Sequence, residues 1–166
     1  DTVAVFGCGP VGQFAVLSAF MMGAGRVIAV DHIDSRLELA RGMGAEIVNF
    51  DREDPVQVIL ELTGGIGVDR AIDAVGVDAD IPHAGPAAEQ SQRMREQFQA
   101  ELRQVAPGGT AWHAAEGPSQ ALMWEVEALD KAGTLSVIGV YPETMRVFPF
   151  GKAMNKNITI NMGNCP

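Results

Sequence analysis

The sequence predicts a three-layer α/β fold, a doubly wound parallel sheet of about six strands with helices on both faces, and two observations predict it. Short runs that are apolar nearly throughout alternate with helical stretches of 8 to 13 residues, the pattern of strands buried on both faces and the helices that cover them. The chain also has the length of about one domain, 166 residues, and 47% of them are hydrophobic, enough for a sizeable core.

The elements follow in order. Val3-Ala4-Val5-Phe6 is a β-prone run stopped by Gly7, and Pro10 to Met22 reads as a helix with proline in its first turn. Arg26 to Val30 is a second strand, followed by a helix from about Ser35 to Gly42 with Leu37, Ala40 and Arg41 at helical spacing. Glu46 to Asn49 is the third strand. Pro55 opens a helix whose Val56, Ile59, Leu60 and Leu62 recur every three or four residues until Gly64-Gly65 ends it. Val68 to Val75 is the fourth strand.

After Gly76 the alternation breaks. Residues 77–118 read as an excursion, with Pro82, Gly85, Pro86, Pro107, Gly108, Gly109 and Gly117 around a polar segment, Ala87 to Gln104. Met94, Phe98, Leu102 and Val105 give that segment one narrow apolar stripe if it is helical; the stripe packs on its own domain, or docks on a partner or on a missing part of the parent protein. A helix from about Ser119 to Lys131 and strands at Thr134 to Ile138 and Ile158 to Met162 complete a single domain spanning residues 1–166. No internal repeat is visible.

Composition excludes several functions. Twelve Lys and Arg stand against twenty-one Asp and Glu, a formal charge of -9 whose field repels a phosphate backbone. The richest apolar stretch, Phe14 to Ala24, is interrupted by Ser18 and Gly23 and is shorter than the roughly 18 to 20 residues a membrane span needs. Cys8 and Cys165 lie at opposite ends and form no C-x-x-C, so neither a disulfide scaffold nor a zinc knuckle is written here, and a reducing, cytoplasmic setting is expected. The abrupt start on a strand, without Met or signal peptide, and the abrupt end lead to the expectation of a fragment of a longer protein.

Chemistry concentrates in Gly7-Cys8-Gly9-Pro10-Val11-Gly12, a G-x-G-x-x-G that follows a strand and opens a helix. The first glycine allows a tight turn, the second lets a pyrophosphate approach the backbone, and the third lets the helix pack against the sheet. The free N–H groups of the helix start supply donors and partial positive charge, with Val11 and Gly12 as donors because Pro10 has none. Asp31 ends the second strand nineteen residues after Gly12, where a carboxylate accepts from both hydroxyls of an adenosine ribose and repels a 2′-phosphate, favouring NAD over NADP. Its alternative role is the N-cap of the next helix, for which Asp34 and Ser35 compete. Arg36 either lies by the adenosine or is a solvated helix residue. Cys8, inside the turn, is either a thiol whose pKa helix-end amides lower or a small apolar filler.

These features alone do not separate dehydrogenases from methyltransferases or NAD-sensing modules. The blocks Gly7 to Gly12, Val30-Asp31, Arg36-Leu37 with Ala40 and Met43-Gly44-Ala45, Gly67-Val68-Asp69 with Ile72 to Gly76, and Gly133-Thr134 with Val137 to Val140 together resemble the Rossmann cofactor domain of the zinc-dependent alcohol dehydrogenases, the medium-chain dehydrogenase/reductase family. The resemblance covers residues 1–76 and about 119–163, and the long excursion and the ending at Pro166 look most like the formaldehyde-dehydrogenase-like branch. It implies that Ala74, Val75 and Gly76 pack near the cofactor ribose and that Ile138, Gly139 and Val140 meet the nicotinamide carboxamide through backbone groups. Each set has plain strand-end packing as its alternative. Met145, Val147, Phe148 and Phe150 match in position the segment through which such enzymes pair across a two-fold axis, with a covered core loop as the other reading.

The family's zinc ligands come from a separate catalytic domain and from four closely spaced cysteines, neither of which this sequence contains. His32, His83 and His113 are scattered and read as ordinary histidines, so neither a metal ligand nor a catalytic residue is assigned. The implied function is NAD binding for hydride transfer to or from an alcohol or aldehyde, the rest of the enzyme supplying zinc and substrate; the isolated chain is expected to bind without turnover. The rivals are a non-enzymatic NAD-sensing module, an S-adenosylmethionine methyltransferase, and a zinc-free quinone reductase using NADPH, which Asp31 disfavours.

Overall fold

The computed structural model describes residues 1–108 and 114–163; His113 and the ending at residues 164–166, with Cys165, lie outside them. Six parallel strands, β1 (Thr2–Phe6), β2 (Arg26–Asp31), β3 (Glu46–Asn49), β4 (Val68–Asp73), β5 (Leu129–Val137) and β6 (Thr159–Met162), form one sheet in the order β3-β2-β1-β4-β5-β6. The predicted fold class is the observed one.

Helices α1 (Pro10–Met21) and α2 (Asp34–Gly42) cover one face, where Val5, Val16, Ala29 and Leu37 share a core. On the other face lie α3 (Pro55–Leu62), α6 (Gln120–Ala128) and α7 (Phe150–Lys156), around Phe6, Ile28, Ile59, Trp124 and Leu135. Strand order reverses between β1 and β4, so a crevice opens beyond their carboxyl ends, where ligands of open α/β sheets bind. Local chemistry supports each entry into a helix. Asp54 caps α3 by accepting from Val56 and Gln57 N–H at 2.9 and 3.1 Å, and proline stands at the first turn of both α1 and α3.

The larger departures from expectation have physical reasons. β4 stops at Asp73 rather than Val75, because the Asp73 side chain folds forward onto the Val75 and Gly76 N–H groups and turns the chain out of the sheet. The helix expected to reach Lys131 ends at Ala128, where burial of Leu129 beside Val68 draws the backbone into β5; both residues are fully buried. Ala132 at φ 60° marks the irregularity in that strand. α7 is unpredicted, and Asn157 ends it in the left-handed conformation. The excursion forms two abutting helices, α4 (Pro86–Arg93) and α5 (Arg95–Val105), that meet at Met94.

Of the apolar stripe, Phe98 and Val105 are each 1% exposed, covered by the chain's own residues as the own-domain reading expects, whereas Met94 and Leu102 are partly exposed. In contrast, α1 carries apolar side chains on its outer face: Phe14 and Met21 are exposed, as is Met22 just beyond its end.

Candidate functional site

The G-x-G-x-x-G turn sits at the mouth of the crevice. Gly7 leaves β1 at φ 83°, and a β-carbon there would stand 2.6 Å from the Val75 side chain. A β-carbon on Gly12 would collide with the Gly7 carbonyl oxygen, so Gly12 is what lets α1 start against the turn. Gly9 differs from both. It is the N-cap of α1, no side chain caps that helix end, and a β-carbon on Gly9 would meet nothing within 4 Å. The space over Gly9 is open and faces the helix N-terminus.

Gly7, Gly9, Asp31, Arg36, Ala74 and Val75 line one cleft of about 270 Å³, completed by His32, Phe50, Asp78 and Asp80. Pro10 and Val11 stand exposed at the start of α1, and Gly12 is buried beneath them. Val11 and Ile138 line a second, larger groove of about 790 Å³ with Phe14, Met22, Ile72 and Ser136.

Asp31 is 4% exposed and ties the cleft together. Its Oδ2 accepts from Cys8 N–H at 2.7 Å, its Oδ1 accepts from His32 and Ile33 N–H at 2.7 and 2.9 Å, and an Arg36 nitrogen lies 3.8 Å from Oδ2. With about four lone-pair sites on a carboxylate, three are taken by the chain's own amides, two on Oδ1 and one on Oδ2. α2 has Ile33 as its N-cap with no side-chain cap, so neither Asp34 nor Ser35 plays that part. Arg36, about half exposed, sits at the rim.

Burial, then the Asp31 charge, pushes the Cys8 thiol up to about 12, with Arg36 opposing. The activated-thiol reading falls; Cys8, 1% exposed, is the small buried filler.

Sequence reasoning missed several residues here. Gln13 donates to the carbonyls of Cys8 and Arg36 at 2.8 and 2.9 Å, bracing the turn against α2. His32 stacks on Phe50 at 4.9 Å with nitrogens 3.5 and 3.3 Å from the carboxylates of Asp51 and Asp80. No signal in one sequence marks these.

At the other end, Asp73 joins β4 to the chain after β5. Its Oδ1 accepts from Val75 and Gly76 N–H at 2.8 and 2.9 Å, its Oδ2 accepts from the Tyr141 hydroxyl at 2.7 Å, and its carbonyl oxygen accepts from Ile138 and Gly139 N–H, both at 2.9 Å. A signal did exist: Asp73, like Asp31, is a carboxylate that ends a strand, directly after the apolar pair Ala71-Ile72. Gly76, at φ 73°, and Gly139 cross closely; a β-carbon on Gly76 would lie 2.5 Å from Val140 N, and one on Gly139 would lie 2.7 Å from Asp73 Oδ1. The Ile138 and Gly139 amides are spent on Asp73, and the Val140 carbonyl accepts from Val77 N–H at 3.0 Å. Ile138 and Val140 expose apolar side chains there.

Glu125 of α6 is fully buried, and neither carboxyl oxygen has a hydrogen-bond partner. Burial, then the charge of Asp73, raises its pKa well above the ordinary 4.5. Its unfolded form releases a proton that the folded form keeps, so the contribution to stability is fully present below that ordinary value and is lost as pH rises toward the folded value. The expected slope is a fall of up to about 1.4 kcal/mol per pH unit above roughly pH 5. Denaturant unfolding between about pH 5 and 7 checks it; Glu125→Gln flattens the slope, and an unchanged slope rejects the assignment.

Met145 and Phe148 pack against the core on the α6 face, as the covered-loop reading requires, whereas Phe150 is 74% exposed at the start of α7. Among the described residues, no group of three or more His, Cys, Asp and Glu side chains is placed to hold a metal ion, and no helix is long and apolar enough to cross a membrane.

Comparison with known proteins places this geometry. The family model described as zinc-binding dehydrogenase matches residues 10–94, just over half of the chain. The chain is 38% identical over 168 aligned residues to an uncharacterised zinc-type alcohol dehydrogenase-like protein of Bacillus subtilis, covering all of this chain and 39% of that one. It is 43% identical over 111 residues to an alcohol dehydrogenase of Cupriavidus necator, covering 66% of this chain and 26% of that protein. Among solved structures, alcohol dehydrogenase TADH from Thermus sp. ATN1 superposes with a TM-score of 0.67 at 27% identity, over 99% of this chain and 36% of the other.

Proposed function

The chain belongs to the zinc-binding dehydrogenase family, and from that premise we propose that it is the NAD-binding domain of an alcohol or aldehyde dehydrogenase whose remaining parts supply zinc and substrate. One observation carries the reading: the open space over Gly9, at the uncapped N-terminus of α1, runs into the cleft that ends at Asp31. A diphosphate fills such a space and meets the first N–H groups of α1 from Val11 and Gly12. Asp31 takes one hydroxyl of the adenosine ribose and, with Asp78 and Asp80 nearby, makes the cleft hostile to a 2′-phosphate, so the cofactor is NAD rather than NADP.

Bound NAD supplies the hydride acceptor or donor at its nicotinamide ring. This chain's residues bind and orient it: Arg36 borders the adenosine, Ala74, Val75 and Gly76 border the ribose, and the Ile138, Gly139 and Val140 backbone borders the carboxamide. No set of described side chains fits zinc.

The chain spans 39% and 26% of the length of the two relatives above. The outer face of α1 and the groove beside Ile138 offer an apolar surface for a second domain, which brings the substrate pocket with it. Exposed Phe150, beside Met145, Val147 and Phe148, and the exposed edge strand β6 suit a two-fold pairing. The long segment after β4 favours the formaldehyde-dehydrogenase-like branch, and a cytoplasmic setting suits the cofactor.

Thermal unfolding of the chain with added ligands separates the classes. NADH raises Tm, and S-adenosylhomocysteine leaves it unchanged. The reverse result assigns a methyltransferase. Hydride transfer by the full-length enzyme, and none by a sensing module, separates the dehydrogenase from the remaining rival.

A further inference from the structure

We propose that Asp73 and Tyr141 are positioning residues for the nicotinamide end of the cofactor: together they set the gap between the strand-end turns 74–76 and 138–140. The proposal rests on the dinucleotide reading above and goes beyond it, since neither residue belongs to the glycine turn or to the ribose end.

All three oxygens of Asp73 are engaged, and their five donors come from both turns: Val75 and Gly76 N–H on one side, Ile138 and Gly139 N–H and the Tyr141 hydroxyl on the other. Where Gly76 crosses Gly139, the two backbones touch with no side chain between them, and one direct hydrogen bond, from Val77 N–H to the Val140 carbonyl at 3.0 Å, joins the chain just after the first turn to the second. The remaining links between the turns all run through one fully buried residue, Asp73, which sets how the 74–76 turn is held against that contact. Of the five donors, the Tyr141 hydroxyl alone comes from a side chain. It holds Oδ2, which keeps Oδ1 aimed at Val75 and Gly76.

Removing the hydroxyl leaves a buried carboxylate oxygen without a partner. The side chain then turns to recover one, releases the 75–76 amides, and lets the two turns move apart. The adenosine end rests chiefly on Gly9 and Gly12 at the start of α1 and on Asp31 at the end of β2, and meets the 74–76 turn only through Ala74 and Val75, so it feels the change far less than the nicotinamide end, which lies between both turns. The consequence is a selective loss: ligands that carry nicotinamide weaken, and ligands that lack it do not.

The test compares NADH, which has the nicotinamide ring, with ADP-ribose, which does not, in calorimetric titrations of wild type, Tyr141→Phe and Asp73→Asn. Tyr141→Phe weakens NADH about tenfold and changes ADP-ribose by less than about twofold. Asp73→Asn keeps a carbonyl for the Val75 and Gly76 amides and offers its NH2 to the Tyr141 oxygen, so NADH stays within about threefold of wild type. Each titration is run well below the Tm of the variant, so the ratio of the two affinities decides even where stability falls.

Equal loss of both ligands in Tyr141→Phe shows a general structural role and overturns the proposal, as does unchanged NADH binding. A wild-type chain that binds neither ligand overturns the dinucleotide reading and the pair with it. One that binds both, with no selective loss in Tyr141→Phe, overturns the pair alone.

Discussion

Gly9→Ala abolishes dinucleotide binding and leaves the fold in place. A methyl group on Gly9 touches no protein atom within 4 Å, and the backbone at φ -66° suits alanine, so the cost to stability is limited to a poorer helix N-cap, about 1 kcal/mol. The same methyl occupies the space assigned to the pyrophosphate, and NADH affinity falls by at least about a hundredfold. Gly12→Ala gives the opposite balance. Its β-carbon collides with the Gly7 carbonyl, so the helix start must shift and stability drops by about 2 kcal/mol or more alongside binding. Melting curves and NADH titrations of the two variants check the contrast. A Gly9→Ala chain that binds NADH normally means the open space serves no ligand.

Asp31→Ala has two separable effects. Three backbone N–H groups lose their acceptor, the buried Cys8 amide among them, and the chain loses about 2 to 4 kcal/mol of stability. The cofactor preference goes as well, because the carboxylate that takes a ribose hydroxyl and repels a 2′-phosphate is gone. NADH affinity falls about tenfold, while NADPH affinity stays level or rises. A variant that loses stability but keeps its preference for NADH assigns Asp31 to the turn alone and moves cofactor choice to Asp78 and Asp80.

The fold was legible because its signals are local. Apolar runs such as Val3 to Phe6 and Val27 to Val30 are buried on both faces, and proline or glycine marks the helix ends, so strand, turn and helix through Leu62 fall close to where the sequence puts them. Errors begin where a tertiary contact outweighs local preference. Leu129 joins the sheet because Val68 is beside it, sixty-one residues away in sequence, and no local pattern reports that.

The candidate site divides the same way. Gly7, Gly9, Gly12 and Asp31 were legible because spacing within one βαβ unit forces them together. Asp73 and Tyr141 meet across 68 residues, and Glu125 becomes a buried, unpartnered acid through the packing of α6. The sequence marks Asp31 as a ribose acceptor or a helix cap; its three bonds to the chain's own amides emerge once β1 and β2 are paired.

Titration of the wild-type chain with NADH and with NADPH, followed by nicotinamide fluorescence, tests the central claim most directly. The account predicts saturable binding with NADH favoured at least about tenfold. Equal or stronger binding of NADPH, or no binding of either cofactor by a folded sample at millimolar concentration, contradicts it.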